Sequence, residues 1–338
     1  MTAEATSHAA AWWRPMANGQ VACDLCPIGC RLREGQTGPC ATRANRKGEM
    51  VPLHYGRIVS AGVDPIEKKP LYHFHPGRPI LSVAAPGCNL HCLFCQNWNI
   101  SQDGGARTTA ATPQDLVRAA LAEDSVGIAF TYSEPLVWFE FVRDTARLAR
   151  EHGLKNVLVT NGFLNPDPLA ELLPFIDAAN IDLKAMDPVF YRKVCKAQLP
   201  PVLAAIRQFH EAGVHLELTN LVIPGHNDSD AQLQELVDFV AGLGPEIPLH
   251  FSAYHPAWKL DAPATPRETL LRAYEIAARQ LDWVYLGNVS GTIGRDSLCA
   301  GCDTVLVDRA GHRGVNRMAA GGVCPGCRAR QPFVVSGS

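Results

Sequence analysis

The chain has 338 residues, room for one large domain with appendages or for two domains, and its 47% of apolar residues is enough to bury a sizeable core. With 31 basic against 33 acidic side chains it lacks the basic excess of a nucleic-acid-binding surface, and a charged fraction of 19% is too low for a disordered chain. No apolar run reaches the ~18 residues of a membrane span, and no basic start followed by an apolar stretch opens the sequence, so the expected compartment is the cytoplasm, with neither membrane nor nucleic acid as a partner.

Residues 1–19 read as a tail. Residues 20–77 are rich in Gly, Pro, Cys and basic residues with little periodicity, and read as a small loop-rich module. Within it Cys23, Cys26, Cys30 and Cys40 follow a C-x2-C-x3-C-x9-C spacing. In a reducing compartment such sets are metal ligands rather than disulfides. Four soft ligands so close suit tetrahedral zinc or an auxiliary iron–sulfur cluster, and spacing does not choose between them.

From about residue 78 to 296 strand-like and helical patterns alternate. ILSVAA, VGIAFTY, NVLVT, AANIDL, VHLELTNLV and LHFSAY are strands rich in Val, Ile and Leu, and WVYLG is a candidate last one. Helical patterns lie between them; Thr112 before Pro113 forms an N-cap and N1 pair, and Gly153, Gly213 and Gly244 stand where helices should stop. Such alternation implies parallel strands joined by right-handed crossovers. Six units suggest an α/β fold of partial (β/α)6 TIM-like type, with a doubly wound sheet as the alternative.

PGCNLHCLFCQNWNIS follows the first of these strands and carries Cys88, Cys92 and Cys95 as C-x3-C-x2-C. Three thiolates on one short loop can each reach a different iron of a single [4Fe-4S] cube. A fourth cysteine normally completes the set, so its absence leaves one iron open to substrate or cosubstrate. The competing reading, structural zinc, needs a fourth ligand, and His91 is poorly placed between two of the cysteines. Residues 297–338 are again Gly- and Cys-rich, with Cys299, Cys302, Cys324 and Cys327 as two CxxC knuckles. That is a zinc-ribbon or rubredoxin-like pattern, for zinc or mononuclear iron. Cys195 stands alone in YRKVC: a small buried apolar group, or a thiol or radical relay facing the active site.

The central motif resembles the hallmark of the radical S-adenosylmethionine (SAM) superfamily, with Phe94 as the aromatic residue before the last cysteine. The resemblance implies a [4Fe-4S] cluster whose open iron binds the amino and carboxylate groups of SAM. Reduction then cleaves the C5′–S bond, giving a 5′-deoxyadenosyl radical that takes hydrogen from a substrate. Glu134 and Pro135 stand where the superfamily carries a GGEP-like turn for the SAM amino group, with Tyr132 and Ser133 in place of its glycines. In NIDLKA, Asn180, Asp182 and Lys184 alternate onto one strand face, and Lys184 suits the SAM carboxylate. By the same analogy His250 is a candidate ribose contact.

The wider chain, over about residues 20–330, resembles the radical SAM enzyme of the AmmeMemoRadiSam system, related to pyruvate formate-lyase activating enzyme. The supporting stretches are the first cysteine set with RANRKGE, DPIEKKPLYHFHPG, the central motif, YRKVC and the C-terminal ribbon. Asp64–Phe74 is the distinctive segment and is expected to pack against the cluster loop; Lys196 stands where glycine is expected. The resemblance implies a reductant such as flavodoxin or ferredoxin and Memo-like and AMMECR-like companions, and leaves the substrate unassigned. Two other readings stand beside it: a glycyl-radical-enzyme activase acting on a partner protein, and a non-enzymatic zinc-holding interaction protein.

Overall fold

The computed structural model describes residues 8–102, 105–311 and 313–335. Its frame is one eight-stranded sheet of β1 (Ser60–Pro65), β2 (Pro79–Ala84), β3 (Gly127–Phe130), β4 (Lys155–Thr160), β5 (Ala178–Asp182), β6 (His215–Val222), β7 (Leu249–Ala253) and β8 (Val284–Gly287). The strands lie side by side in sequence order. β2 to β8 are parallel, and β1 pairs antiparallel with β2. β1 and β8 are the two edges, so the sheet is open. WVYLG does form the last parallel strand. β1 falls in the stretch that the sequence assigns to the N-terminal module.

Six crossover helices connect the parallel strands: α1 (Pro113–Ala122), α2 (Phe139–Glu151), α3 (Pro166–Leu172), α4 (Leu199–Glu211), α5 (Asp230–Leu243) and α6 (Arg267–Ala277). Local chemistry sets their ends. The Thr112 hydroxyl accepts from the Asp115 amide while the Asp115 carboxylate accepts from the Thr112 amide, a capping box before Pro113. Thr112→Ala costs about 1 kcal/mol on that account. Gly153 and Gly213 follow α2 and α4 at φ +75 and +72, conformations that a side chain would strain. Gly244 closes α5 in extended backbone instead.

Helices cover the sheet, so its inner strands read as continuous apolar runs: all four residues of β3 are buried. α2 turns Phe139, Phe141, Val142, Ala146 and Ala149 into the same core, where each full burial of a large apolar side chain contributes roughly 1.5–3 kcal/mol. One exception stands out in β6: the Glu217 carboxylate is fully buried. It accepts from the Tyr72 amide at 2.9 and 3.0 Å and from the His73 amide at 2.7 Å, and the His215 and His250 rings lie at 3.0 and 2.7 Å. Burial opposes its charge, but the two histidines outweigh that and hold its pKa well below the usual carboxylate range. One charge in the sheet thus pins the strap that runs from Asp64 to His75.

Two small appendages complete the chain. Trp13–Pro15, Val21–Cys23 and Arg31–Leu32 form a three-stranded antiparallel sheet, followed by the hairpin Arg43–Arg46 and Glu49–Pro52. The first of these strands lies within the stretch read as a tail. A buried ion pair, Arg43 to Glu140 at 2.9 Å, ties this appendage to α2. At the other end Ser297–Leu298, Val305–Ala310 and Arg313–Asn316 make a second antiparallel sheet. It grips the strap: Arg309 donates to the Tyr72 carbonyl at 2.9 Å, and Val334 exchanges backbone hydrogen bonds with His73 and His75. Among the described residues no helix is long and apolar enough to cross a membrane.

Candidate active site

The C-terminal ends of the parallel strands converge on a cavity of about 290 Å³. The loop after β2 brings Cys88, Cys92 and Cys95 to its wall, the loop after β3 brings Glu134, and β5 and its continuation bring Asp182 and Lys184. This is the end of a parallel sheet where loops, rather than ladder bonds, set side-chain placement.

The cysteine loop is held from both flanks. Gly87 opens it at φ +98; a Cβ there would meet the Cys40 carbonyl oxygen at 2.3 Å, so only glycine fits. The His91 and Leu93 amides, on either side of Cys92, donate to the carbonyls of Cys195 and Val194 at 3.0 Å each. Each sulfur has a polar neighbour: the Leu90 amide lies 3.3 Å and the Asn161 amide 3.6 Å from Cys88, and Ser101 Oγ lies 3.1 Å from Cys95. The Cys195 thiol hydrogen-bonds Cys92 and thereby lowers its pKa.

Glu134 caps the turn Pro135–Trp138. Its carboxylate accepts from the Leu136 amide, Thr160 Oγ1 and the Asn161 amide at 2.9, 2.6 and 2.8 Å. Burial nevertheless pushes its pKa up to about 7, with the Asp182 charge adding to the rise. Lys184 Nζ lies 3.0 Å from Asp182 Oδ2. Burial works against the lysine charge, but Asp182 and the thiols of Cys92 and Cys195 outweigh it and keep the pKa above its usual value.

Two candidates are not in this company. The His250 ring is buried between Tyr72 and Tyr285, donates to Glu217 and does not line the cavity. The expected ribose contact thus lies off this wall: β7 directs the residue at the buried carboxylate of its neighbour strand. Cys195 is fully buried behind Cys92 and is also absent from the cavity wall. It closes a five-residue π-helical turn, Tyr191–Cys195, and Lys196 then takes the left-handed conformation at φ 59. That is the position where the family resemblance leads one to expect glycine.

The structure also adds residues that the sequence did not single out one by one. Lys69, its side chain buried, lines the cavity with Lys68 and Pro70. Asp64 holds both lysines, at 2.8 and 2.7 Å, and receives the Tyr132 hydroxyl. The sequence signal was the strap itself. Beyond it a wider cavity of about 600 Å³ shares Lys68, Pro70, Gln96, Ser252 and Asn288 with the first.

The three cysteine sets differ in how tightly they close. Cys299 and Cys327 sulfurs lie 3.5 Å apart and those of Cys302 and Cys324 3.6 Å apart. Zinc–sulfur bonds of about 2.3 Å place tetrahedral sulfurs about 3.8 Å from one another, so this knuckle fits a single ion. Among the described residues it is the only group of three or more Cys, His or acidic ligand atoms within 4.8 Å of one another. The sulfurs of Cys88, Cys92 and Cys95 share a cavity wall without closing to that distance, a donor set suited to a polynuclear cluster rather than to one ion.

Comparison with known proteins agrees with this geometry. Residues 82–240 match the model of the radical SAM superfamily. An uncharacterized protein of Methanocaldococcus jannaschii is 43% identical over 305 residues, covering 89% of this chain and 91% of the relative. Pyruvate formate-lyase 1-activating enzyme of Escherichia coli is 26% identical over 181 residues, 51% of this chain and 73% of that enzyme. Among solved structures, Streptococcus suis SuiB bound to S-adenosylmethionine superposes with a TM-score of 0.51 at 18% identity, over 66% of this chain and 53% of that one, a likeness of fold.

Proposed function

This chain belongs to the radical SAM superfamily, and from that premise we propose that it reductively cleaves SAM at the cavity below β2–β8 and takes hydrogen from a substrate in the adjoining one. The observation that carries the reading is the joint presence of Cys88, Cys92, Cys95, Glu134, Asp182 and Lys184 on one wall. Cys88, Cys92 and Cys95 are the residues that would hold the [4Fe-4S] cluster. When bound, that cluster supplies the electron that breaks the C5′–S bond of SAM to release a 5′-deoxyadenosyl radical.

The remaining work falls to this chain's side chains. Ionised Glu134 accepts the SAM ammonium, and three fixed donors keep its carboxylate oriented. Lys184, steered by Asp182, meets the SAM carboxylate. The strap closes the wall above with Lys69 and Pro70, which limits water beside a reactive radical. Cys195 acts on the reaction only through Cys92, as a positioning residue: hydrogen bonds to cluster sulfurs tune the reduction potential. The wider cavity receives the substrate, with Ser252 and Asn288 at the junction.

Anaerobically purified protein, reduced and given SAM, should release 5′-deoxyadenosine and methionine. A fully iron-loaded protein that leaves SAM intact sinks the proposal. A second reading, activation of a partner protein by placing a radical on it, is favoured by the activating-enzyme relative. It predicts stoichiometric loss of hydrogen from a companion polypeptide, and Memo-like and AMMECR-like proteins are the first to test. Reduced flavodoxin or ferredoxin is the reductant to supply. The C-terminal knuckle we assign to zinc.

A further inference from the structure

We infer that Cys23, Cys26, Cys30 and Cys40 hold a second iron–sulfur cluster, not a single zinc ion, set directly beside the Cys88 loop. All four line one cavity with Leu25, Ile28, Leu32 and Val137. Three of the four cysteines are buried. They are close: a Cβ built on Gly38 would lie 3.7 Å from Cys40 Sγ and 3.9 Å from Cys30 Sγ. Thr42 Oγ1 lies 3.1 Å from Cys40 Sγ, the kind of hydroxyl contact that Ser101 makes to Cys95.

Closeness is not closure, however. Among the described residues no three of these four sulfurs come within 4.8 Å of one another, whereas the C-terminal four do. One chain therefore displays two spacings for the same ligand set. The C-terminal spacing matches the roughly 3.8 Å that zinc–sulfur bonds of about 2.3 Å impose. The N-terminal spacing, like that of the central loop, leaves the sulfurs too far apart for one ion to reach them all, and a polynuclear cluster fills that gap with irons and sulfides of its own.

The neighbourhood is as telling as the spacing. Gly87, one residue before Cys88, lies so close to the N-terminal loop that a Cβ there would meet Cys40 O at 2.3 Å and Thr42 Cγ2 at 2.6 Å. On the opposite flank Asn165 donates to the carbonyls of Asp24 and Leu25, at 2.7 and 3.1 Å. Asn161, in the same loop after β4, reaches Cys88 Sγ at 3.6 Å. Two stretches of chain thus touch both cysteine sets. The half of the inference that concerns adjacency rests on the radical SAM reading; the half that concerns the N-terminal metal does not.

The test is metal counting with Mössbauer spectroscopy on the anaerobic full-length protein and on two variants, C88A/C92A/C95A and C23A/C26A. The expectation is about eight irons in the wild type and about four in each variant, with a cubane signal surviving in the first. A C88A/C92A/C95A protein with zinc and no iron, or a C23A/C26A protein with the full wild-type iron count, overturns the inference. If C88A/C92A/C95A does not fold, C23A/C26A decides: its count falls by about four irons where the inference holds and equals wild type where it fails. Failure of the radical SAM reading looks different: C88A/C92A/C95A would then keep the full wild-type iron count.

Discussion

The ribbon at the C-terminus and the loop after β2 use the same ligand atom for opposite ends. In the ribbon, paired sulfurs stand 3.5 and 3.6 Å apart, and Cys302 and Cys327 are exposed. A small sheet and a few buried side chains surround them. In the loop, Cys92 is buried, the sulfurs stay spread, and the surroundings are the ends of seven parallel strands. The difference teaches that sulfur spacing in three dimensions, which CxxC spacing in sequence does not determine, separates a set that one ion can bridge from one that it cannot.

The hardest test of that contrast exchanges the two sites' failures. Cys92→Ala should reduce 5′-deoxyadenosine formation by at least about 100-fold, because one lost cluster ligand removes the electron source, while the thermal transition of the sheet stays cooperative. Cys324→Ala should release the ribbon metal and leave SAM cleavage within a few-fold of wild type. If the two variants gave the same kinetic loss, the ribbon would have to be moved into the catalytic machinery.

Next in size is the pin between strap and sheet. Glu217→Ala leaves two histidines and two amides without their shared acceptor, and a loss of about 3–5 kcal/mol is expected from removing one partner of a buried charged cluster. Denaturant melts measure it, and a loss under about 1 kcal/mol, the median of exposed pairs, would show that the strap is held otherwise.

Glu134 sharpens the comparison through pH. Its folded pKa, raised by burial to about 7, lies above its ordinary value of 4.5, so the folded chain binds this proton more tightly than the unfolded chain. Its contribution to stability is therefore full below about pH 4.5 and is lost as pH rises through about 7. SAM binding carries the opposite sign, since an ammonium prefers the ionised carboxylate. Affinity should fall up to about tenfold per pH unit below about 7, and Glu134→Gln should flatten the profile in equilibrium binding. A wild-type profile that is already flat from pH 6 to 8 removes Glu134 from the ammonium site.

The smallest expected effect is a gain. Lys196 holds φ 59 at the end of the π-helical turn. Lys196→Gly relieves a left-handed side-chain strain of about 1 kcal/mol, visible as a rise in Tm of about 1–2 degrees in a chain of this length. A fall in Tm would show that the lysine side chain makes a compensating contact.

What was legible in the sequence was what local chemistry dictates. Apolar runs gave the parallel strands, Thr112-Pro113 gave the start of α1, and the family resemblance marked the strap, a segment that does line the cavity. The resemblance paired Cys88, Cys92 and Cys95 with Glu134, Asp182 and Lys184, and consecutive strand ends bring the six to one wall. What could not be read was which face of a neighbour each side chain would meet. His250 stands on a strand end like Asp182, yet Glu217 one strand away captures it, and that capture depends on the strap's amides arriving from 145 residues earlier. The only trace of Glu217 was a charge inside an otherwise apolar run. Cys195 was ambiguous for the same reason: its burial follows from a π-helical turn that no residue type announces.

The strap is gripped from two sides, by Glu217 beneath and by Arg309 and Val334 above. A beam clamped at both ends is only as stiff as its weaker clamp. Here the weaker clamp is the ribbon, whose interior is a handful of side chains. The reaction chamber therefore borrows part of its rigidity from a knot of chain that contributes no cysteine to its wall.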